Sequence, residues 1–260
     1  MLKARRLARI IEILREDGFA SLGEIAERLG TSVSTVRRDV DHLADIGPVT
    51  RTHGGVVLNP GEALSFEPGS EIASEIESDA KAVIGRHAAG YIEAGQTVMF
   101  DSGTTTREVA RAALARKLAF TAFTNDVAIA SLLSVSDRIA VHVFHGRMRP
   151  GSTTLLGAET VADIGRMRAD LLFIGTHAGT VEGLSDTSTE LAAIKRAFLA
   201  SAETKILVAD RTKFPKRSLC LFARLPEFDR IIIDAGIHAG LASELRSQNP
   251  SLELAEDNAE

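Results

Sequence analysis

Two adjacent arginines, Arg37 and Arg38, stand in a setting that suits contact with nucleic acid. They belong to the segment 32–40, whose residue types alternate as in a short amphipathic helix. At about 100° per residue, its apolar side chains fall on one face, whereas Ser34 and both arginines fall on the opposite face. Small hydroxyl groups followed by paired guanidinium groups suit a groove lined by phosphates and base edges. The segment therefore predicts a surface that contacts DNA.

A second group of residues is suited to binding an anion. It forms one continuous run that follows an apolar segment and opens a helical one. Free backbone N–H groups at a helix N-terminus, joined by hydroxyl side chains, bind phosphate well. The alternative is that the hydroxyl groups only cap the helix. The members of this run are Asp101, Ser102, Gly103, Thr104, Thr105 and Thr106.

Further polar residues at predicted strand ends could complete an effector-binding site. In open α/β sheets, ligands bind at the carboxyl ends of the strands. Lys195 lies on a predicted helix and could reach an anion, although an isolated lysine on a helix is usually only solvated. The other candidates are Thr124, Asn125, Gly146, Arg147, His177, Asp210 and Lys213.

No residue pattern predicts catalysis or a metal centre. The seven histidines and the single cysteine show no spacing typical of metal ligands. The sequence also has no G-x-S-x-G elbow and no complete P-loop. We therefore expect no metal, no other cofactor and no catalytic residue. Cys220 lies in an apolar run and is expected to be a buried structural thiol.

The arginine pair would be positioned by a helix-turn-helix. Apolar residues at helical spacing predict a first helix that ends at Asp17-Gly18 and a second from about Leu22 to Leu29. Gly30-Thr31 makes the turn, and Ser32 can cap the third helix by accepting a hydrogen bond from an early backbone N–H. The apolar stripe of this third helix comprises Val36, Val40 and Leu43.

A β-hairpin is predicted directly after the third helix. The runs 49–52 and 56–58 flank His53-Gly54-Gly55, whose glycines are free to take positive φ. A hairpin in this place is a wing, and it favours DNA contact over the alternative that the arginine pair is merely a solvated helix face. The predicted DNA-binding residues are Ser32, Ser34, Thr35, Arg37, Arg38, Arg51 and His53.

The length and the pattern of the chain predict two domains. At 260 residues the chain exceeds the usual size of one domain. Residues 1–58 form the predicted winged helix-turn-helix domain, 59–78 a linker rich in breakers and acidic residues, and 79–260 a larger domain. Strands alternate with helices in the larger domain, which predicts an α/β fold with a doubly wound, mostly parallel sheet. The predicted strands are 97–100, 120–124, 139–144, 171–175, 205–209 and 230–234, and the predicted helices include 105–115, 126–133 and 189–200.

Charge is distributed unevenly along the chain. A formal net charge of −5 would argue against nucleic acid if it were uniform, but basic residues crowd the first fifth of the sequence. Asp39 and Asp41 are expected to pair with neighbouring cations rather than to face DNA. Candidates for phosphate contacts on the first helix are Lys3, Arg5, Arg6 and Arg9.

The cellular compartment can also be predicted. One cysteine excludes an intrachain disulfide, and no apolar stretch approaches the roughly 20 residues that span a membrane. The basic N-terminus lacks the long apolar region and cleavage site of a signal peptide. We expect a cytoplasmic protein with no membrane partner.

Taken together, these motifs resemble the DeoR family of transcriptional regulators over nearly the whole chain. In the first domain the resemblance rests on the segments 24–29, 35–39 and 51–55, together with Ser32. The second domain resembles the effector-sensing module of that family, which is similar in fold to ribose-5-phosphate isomerase. Its motifs are matched at 101–105, 124–125, 195–196 and 209–214. The resemblance implies a phosphorylated sugar or polyol as effector, release from operator DNA when it binds, and a homo-oligomer.

Two departures from the family pattern and one further residue concern the wing and the ligand. Gly47-Pro48-Val49 replaces the usual apolar pair after the glycine, which bears on how the wing approaches DNA. Arg147 stands where a second glycine is common and could contact an acidic ligand or narrow the pocket. His177 is a further candidate for effector specificity.

The main hypothesis is a DNA-binding repressor of a carbohydrate or polyol catabolic operon. The alternative is an enzyme, a sugar-phosphate isomerase or deaminase with an added N-terminal module. Asp126 and Asp186 are conceivable bases for such chemistry. The sequence lacks the glycine-rich loop with a Glu-Lys pair of the isomerases, and this alternative leaves the helix-turn-helix unexplained. An activator is not distinguished from a repressor by sequence.

Overall fold

The computed structural model describes residues 1–59 and 69–257, which divide into two units, Met1–Ser78 and Asp79–Glu260. The predicted linker 59–78 falls partly outside the described residues, since 60–68, with the structure breakers Pro60, Gly61 and Pro68, are not among them. The rest of that segment, from residue 69, lies in the first unit.

The described part of the first unit contains four helices and three short strands. In chain order these are α1 (Lys3–Asp17), β1 (Phe19–Ala20), α2 (Leu22–Leu29), α3 (Val33–Asp45), β2 (Val49–Arg51), β3 (Val56–Leu58) and α4 (Ser70–Glu75). The strands form an antiparallel sheet of order β1-β3-β2. The predicted winged helix-turn-helix is confirmed, with α2 and α3 as its two helices and β2–β3 as its wing.

Local sequence signals define the helix ends in this unit. Ser21 and Glu24 form a capping box at the start of α2, where each side chain binds the backbone N–H of the other residue. Gly30 ends α2 in the left-handed conformation at φ 59°. Ser32 caps α3 as predicted, because its Oγ accepts the backbone N–H of Thr35 at 3.2 Å.

The core of the first unit extends beyond the wing. Val36, Val40 and Leu43 are fully buried, as predicted for the apolar stripe of α3. Ile72 on α4 and the following Ile76 join the same core, and α4 packs against α1. Two isoleucines in an otherwise acidic stretch are enough to bury one face of a short helix.

The second unit is larger and alternates between strands and helices. In chain order its elements are α5 (Ser78–Ala89), β4 (Thr97–Phe100), α6 (Thr104–Ala115), β5 (Phe120–Thr124), α7 (Val127–Leu133), β6 (Ile139–Val143), β7 (Arg147–Met148), β8 (Leu155–Leu156), α8 (Ala158–Gly165), β9 (Ala169–Ile174), β10 (Ala178–Thr180), β11 (Gly183–Asp186), α9 (Thr189–Ala200), β12 (Ala202–Ala209), β13 (Cys220–Ala223), β14 (Arg230–Asp234), α10 (Ala239–Gln248) and β15 (Leu252–Ala255). Short 3-10 helices cover Arg211–Lys213 and Leu225–Glu227.

Seven parallel strands form the main sheet, in the order β15-β14-β12-β9-β4-β5-β6. Successive side chains of a strand point to opposite faces, so each strand contributes to two cores. Val98, Phe100 and Phe173 pack with α5, α6 and α7. Met99 and Leu172 pack with α8, α9 and α10 on the other face. The predicted doubly wound, parallel α/β fold is confirmed.

The strand order creates a switch point between β4 and β9. From β4 the chain moves outward through β5 to β6, then returns to β9 on the other side of β4 and continues to β12, β14 and β15. The connections that follow β4 and β9 therefore run to opposite sides of this point. Open α/β sheets bind ligands at such a point.

Several smaller elements were not predicted. β10, β11 and β13 form an antiparallel sheet, and β7 and β8 form a hairpin. Strands of two to four residues are too short to show the period-two alternation on which a strand prediction depends. Cys220, expected to be buried, is only partly so and follows Leu219, which is 64% exposed.

Glu253 fastens the edge strand β15 to the rest of the second unit. Its carboxylate accepts hydrogen bonds from Tyr91 at 2.7 Å and from Arg230 at 2.6 Å, and it lies 2.7 Å from Nε2 of His87. The Arg230 guanidinium also lies 4.6 Å from the centre of the Tyr91 ring. Burial would raise the pKa of Glu253, but the hydrogen bonds from His87, Tyr91 and Arg230 outweigh it and lower that pKa.

Replacing Glu253 by Gln should lower the free energy of unfolding at pH 7 by about 1–3 kcal/mol, because charge-assisted hydrogen bonds are lost. The contribution of a carboxylate with a lowered pKa is complete above its unfolded pKa of about 4.3 and disappears as the pH falls through the folded value. The stability difference between the wild-type protein and E253Q should therefore shrink below about pH 4. Urea denaturation at several pH values measures it.

The matched control is Asp257→Asn, which removes an exposed carboxylate that pairs with Arg86. Exposed ion pairs contribute at most about 1 kcal/mol, so this variant should unfold almost like the wild type. Equal effects of E253Q and D257N at pH 7 would contradict the assignment.

Candidate nucleic-acid interface and effector site

The exposed face of α3 presents two cations and a hydroxyl cluster. The Oγ of Ser32 lies 2.9 Å from the hydroxyl oxygens of both Ser34 and Thr35, so the three hydroxyls form one hydrogen-bonded group. Arg37 and Arg38 are exposed on the next turn, and neither forms an ion pair within residues 1–59 and 69–257. Both guanidinium groups can therefore reach a ligand without breaking a salt bridge.

Other arginines of the first unit are held in ion pairs. Arg6 binds Asp39 through two nitrogens, at 2.8 and 3.2 Å, and Asp39 is buried. The prediction that Asp39 and Asp41 pair with cations is confirmed, since Asp41 binds Arg51 of the wing. Arg9 also pairs with Glu12 at 3.0 Å and Arg28 with Asp17 at 2.8 Å. The predicted contacts of Arg6, Arg9 and Arg51 with DNA would compete with these pairs.

The wing depends on close packing at Gly55. Gly54 and Gly55 were expected to use positive φ, but neither is among the residues with positive φ. A Cβ at Gly55 would instead lie 2.3 Å from the backbone oxygen of Ala20 and 2.8 Å from the ring of Phe19. Glycine is needed here because β1 lies against the wing. Arg51 and His53 are both exposed on this hairpin.

In the second unit, a buried charged cluster occupies the switch point. Asp101 follows β4, and its carboxylate binds the Nζ of Lys195, which reaches in from α9. The same Nζ donates to the backbone oxygen of Gly175, after β9, at 2.9 Å and lies 3.6 Å from Oδ2 of Asp186. The backbone N–H of Gly175 donates to Asp101 at 3.3 Å. Asp101 and Lys195, both predicted, are thus brought into direct contact.

The electrostatics of this cluster balance burial against pairing. Burial raises the pKa of Asp101, and the adjacent Lys195 ammonium opposes that rise. Asp101, Asp186 and Lys195 are each less than 10% exposed, so the ammonium is shielded from water together with both carboxylates. Lys195 is occupied by two carboxylates and a carbonyl, which makes it a poor partner for a further anion.

The start of α6 has the backbone geometry of an anion site. Gly103 is the N-cap residue, and no side chain caps this helix. Thr106, expected to offer its hydroxyl to a ligand, is fully buried and donates it to the backbone oxygen of Gly103 at 2.8 Å. The first N–H groups of a helix have no partner within the helix. The alternative that these hydroxyls only cap the helix is not supported by the hydrogen bonds observed.

The turn between β5 and α7 has a different role. Asp126 caps α7, because its Oδ1 accepts the backbone N–H of Ala128 at 2.8 Å and of Ile129 at 3.3 Å. Thr124 and Asn125 are fully buried. The Asn125 Nδ2 donates to the backbone oxygen of Leu155 at 3.2 Å, which ties β8 to this turn. These contacts hold the hairpin β7–β8 against the end of β5.

The other predicted effector residues lie in varied settings. A Cβ at Gly146 would come within 2.6 Å of the Thr160 hydroxyl, so the missing side chain serves packing. The Arg147 side chain is 64% exposed and lies 3.7 Å from Glu190, outside the buried cluster. Asp210 is buried and caps a 3-10 turn that contains Lys213. His177 is partly buried after β9.

Two residues near the cluster were missed by sequence reasoning. Thr187 follows β11 and donates its backbone N–H to Oδ1 of Asp186 at 2.7 Å. Arg149 lies beyond β7 and donates from Nη2 to the Thr187 hydroxyl at 3.5 Å. The turn signal Pro150-Gly151, which marks a hairpin next to this arginine, was the available clue.

Residues 1–59 and 69–257 contain neither a candidate metal cluster nor a candidate membrane span. No three or more His, Cys, Asp or Glu side chains are placed to share a metal ion in that part of the chain. Over the same ranges, no helix has the length and apolarity that crossing a bilayer requires.

Comparison with protein families assigns both units. The model of a DeoR-like helix-turn-helix domain matches residues 6–61, and that of a DeoR C terminal sensor domain matches residues 76–235. The chain belongs to the DeoR family. It is therefore a DNA-binding transcriptional regulator whose second unit is a sensor domain, as the sequence motifs predict.

Individual relatives cover the DeoR-family chain over nearly its full length. The HTH-type transcriptional regulator GlpR of Haloferax volcanii is 34% identical over 95% of this chain and 96% of its own. The glycerol-3-phosphate regulon repressor of Escherichia coli is 27% identical over 98% of this chain and 100% of its own. Among solved structures, ribose 5-phosphate isomerase A from Neisseria gonorrhoeae matches at 12% identity with a TM-score of 0.40, covering 53% of each chain. The chain thus spans about half the length of that isomerase.

Replacing Lys195 by Met in the sensor domain should lower the free energy of unfolding by about 3–5 kcal/mol, since Asp101 and Asp186 would stay buried without their cation. The double variant D101N/K195M should recover part of the loss, because one of the two stranded charges is removed. Guanidinium denaturation of the three proteins measures both effects.

The control is Arg196→Met, a neighbouring cation on α9 whose side chain is exposed. It should lose much less stability than K195M. A K195M protein as stable as R196M would show that the buried pair contributes little to the fold.

Proposed function

We propose that this DeoR-family regulator is a repressor of a carbohydrate or polyol catabolic operon and that it binds operator DNA through α3. The observation that carries the proposal is the exposed pair Arg37 and Arg38, next to the hydroxyl group of Ser32, Ser34 and Thr35. Paired arginines free of carboxylates can bind guanine edges or phosphates. Arg51 and His53 support this contact from the wing.

We propose that the protein binds its operator as a homo-oligomer. Helix-turn-helix proteins commonly bind as dimers to two half-sites one helical turn apart, so that one recognition helix enters each major groove. We place the protein in the cytoplasm on the ground of its proposed DNA target.

Replacing Arg37 and Arg38 together by Ala should abolish specific operator binding and leave the fold intact. Each bidentate arginine–base contact contributes about 1–3 kcal/mol of discrimination. The operator is first selected from a random duplex library with the wild-type protein. Gel-shift titration at one fixed salt concentration then compares the affinities.

The matched control is R111A/R166A, which removes one exposed arginine from α6 and one directly after α8 and changes the net charge equally. It should bind the selected operator like the wild type. Retention of wild-type affinity by R37A/R38A would refute the proposed interface.

For the effector, we propose a phosphorylated sugar or polyol that binds at the switch point of the sensor domain and releases the operator. The uncapped N-terminus of α6 supports this, because its N–H groups and the helix dipole favour a phosphate. Asp101 lies two residues before the N-cap Gly103 and shares Lys195 with Asp186, and both carboxylates can accept hydrogen bonds from hydroxyl groups. The name of the Escherichia coli relative, a glycerol-3-phosphate regulon repressor, is consistent with this class of ligand.

A thermal-shift screen tests the ligand class. The panel pairs glycerol 3-phosphate, ribose 5-phosphate and glucosamine 6-phosphate with glycerol, ribose and glucosamine. A phosphorylated ligand at 100 times its Kd should stabilise the protein by about 2.7 kcal/mol, and its unphosphorylated partner should not. Thr104→Pro should weaken binding about 10- to 100-fold, because proline at the first helical position removes an N–H donor while preserving the helix.

Thr104→Ala is the matched variant, since it removes the hydroxyl but keeps the backbone N–H. The effect of T104P beyond that of T104A therefore belongs to the backbone donor. Equal binding by T104P and T104A would exclude the N-terminus of α6 as the phosphate site, and a panel without any shift would refute the ligand class.

We also propose that the protein is not an enzyme. Both conceivable bases have structural partners, since Asp126 caps α7 and Asp186 lies 3.6 Å from Lys195. Turnover of ribose 5-phosphate or glucosamine 6-phosphate by the purified protein would favour the isomerase or deaminase alternative instead.

A further inference from the structure

The buried cluster at the switch point carries more negative than positive charge. Two carboxylates, Asp101 and Asp186, share the single ammonium of Lys195. A phosphate ester brings roughly 1.5 to 2 further negative charges at neutral pH. Binding such a ligand at this point is therefore favoured by a cation other than Lys195, in addition to the N–H groups of α6.

Arg149 is placed to be that cation. Its Nη2 donates to the Thr187 hydroxyl at 3.5 Å, and Thr187 in turn binds Asp186. A continuous chain of contacts thus runs from Asp101 through Lys195 and Asp186 to the guanidinium. At 3.5 Å the contact with Thr187 is long for a hydrogen bond.

The hairpin that carries Arg149 is held firmly at the end of the sheet. Asn125 exchanges two hydrogen bonds with the backbone of Leu155, at 2.7 and 3.2 Å. The Thr153 hydroxyl donates to the carboxylate of Asp126 at 2.8 Å. The backbone N–H of Arg149 itself closes the hairpin by donating to Thr154 at 2.9 Å. A cation on such a frame is positioned before the ligand arrives, which reduces the entropy lost on binding.

We propose that Arg149 contacts the phosphate of the effector, whereas Lys195 is a positioning residue that holds Asp101 in place. This inference rests on the proposed function of the sensor domain as a phosphate-ligand site. A guanidinium offers two parallel donors to a phosphate, and its planar geometry makes the contact selective for that group. Arg147, the arginine predicted from sequence, lies at the surface beside Glu190 instead.

The test measures binding of the phosphorylated compounds named above, and of inorganic phosphate, by calorimetry to the full-length protein. Arg149→Gln should bind the compound that shifts the wild type about 10- to 100-fold more weakly, and Arg149→Lys should lie between the two. Arg147→Gln should bind nearly as well as the wild type. The matched control is Arg166→Gln, an exposed arginine at the end of α8.

A pH profile separates ligand contact from a structural role. The second pKa of a phosphate ester is near 6, so contact with a guanidinium should make the wild type bind more tightly at pH 7.5 than at pH 5.5. This preference should be smaller in R149Q, whereas a merely structural defect would weaken binding equally at both pH values. Unliganded melting temperatures verify folding, and if R149Q is unfolded the same profile is measured on R149K.

The outcomes distinguish this inference from the proposed function. If the wild type binds no phosphorylated compound, both fail. If it binds one, and R149Q binds it as tightly or loses affinity equally at both pH values, only the role of Arg149 is overturned. A larger loss in R147Q than in R149Q would overturn it as well and restore the prediction made from sequence.

Discussion

The second unit depends on one buried ammonium placed between two carboxylates. Lys195 joins residues that are far apart in sequence, namely Asp101 after β4, Gly175 after β9 and Asp186 at the end of β11. Charges removed from water are stable only when they are paired and hydrogen-bonded. The pairing therefore fixes the positions of three strand ends at the switch point. The groups that a ligand could contact there, including the start of α6, owe their positions to this cluster.

The same requirement shapes the first unit, with the opposite result at its surface. Asp39 and Asp41 each bind an arginine of a different element, so that α3 is tied to α1 and to the wing. Pairing neutralises these cations and leaves Arg37 and Arg38 as the exposed positive charge of α3. In the second unit the ion pairs hold strand ends together, and in the first they determine which arginines remain exposed on α3 and unpaired within the described part of the chain.

Periodicity and turn chemistry predicted much of this fold. The apolar stripe of α3, the cap at Ser32 and the long parallel strands all follow from local patterns, because each is a repeat within one segment. Contacts over long sequence distances were beyond such patterns. The residues next to Gly55 in sequence do not indicate that Phe19 and Ala20 pack against it. The prediction that this glycine is needed for positive φ was therefore wrong. The same holds for Arg149, which meets Thr187 only because a hairpin folds across the end of β5.

The site residues show this division clearly. A run such as 101–106 is recognisable because its members are adjacent, whereas the partner of Asp101 lies 94 residues away on α9. The position of Lys195 on a predicted helix suggests that it could meet an anion, yet only the tertiary arrangement shows that it binds the protein's own carboxylates. For this reason we propose that Lys195 holds the site in place and does not itself contact the ligand.

The position of α4 has a consequence for how the DNA-binding unit of this protein could be joined to another sensor domain. Ile72 and Ile76 complete the hydrophobic core of the DNA-binding unit, and the Glu77 backbone N–H binds the carboxylate of Glu12 on α1. A recombination event that joined a new sensor directly behind the wing would leave an apolar side of α1 uncovered. The segment that can be transferred as one stable DNA-binding module therefore ends at about residue 78. It includes the residues that the sequence predicts as the linker between the two domains.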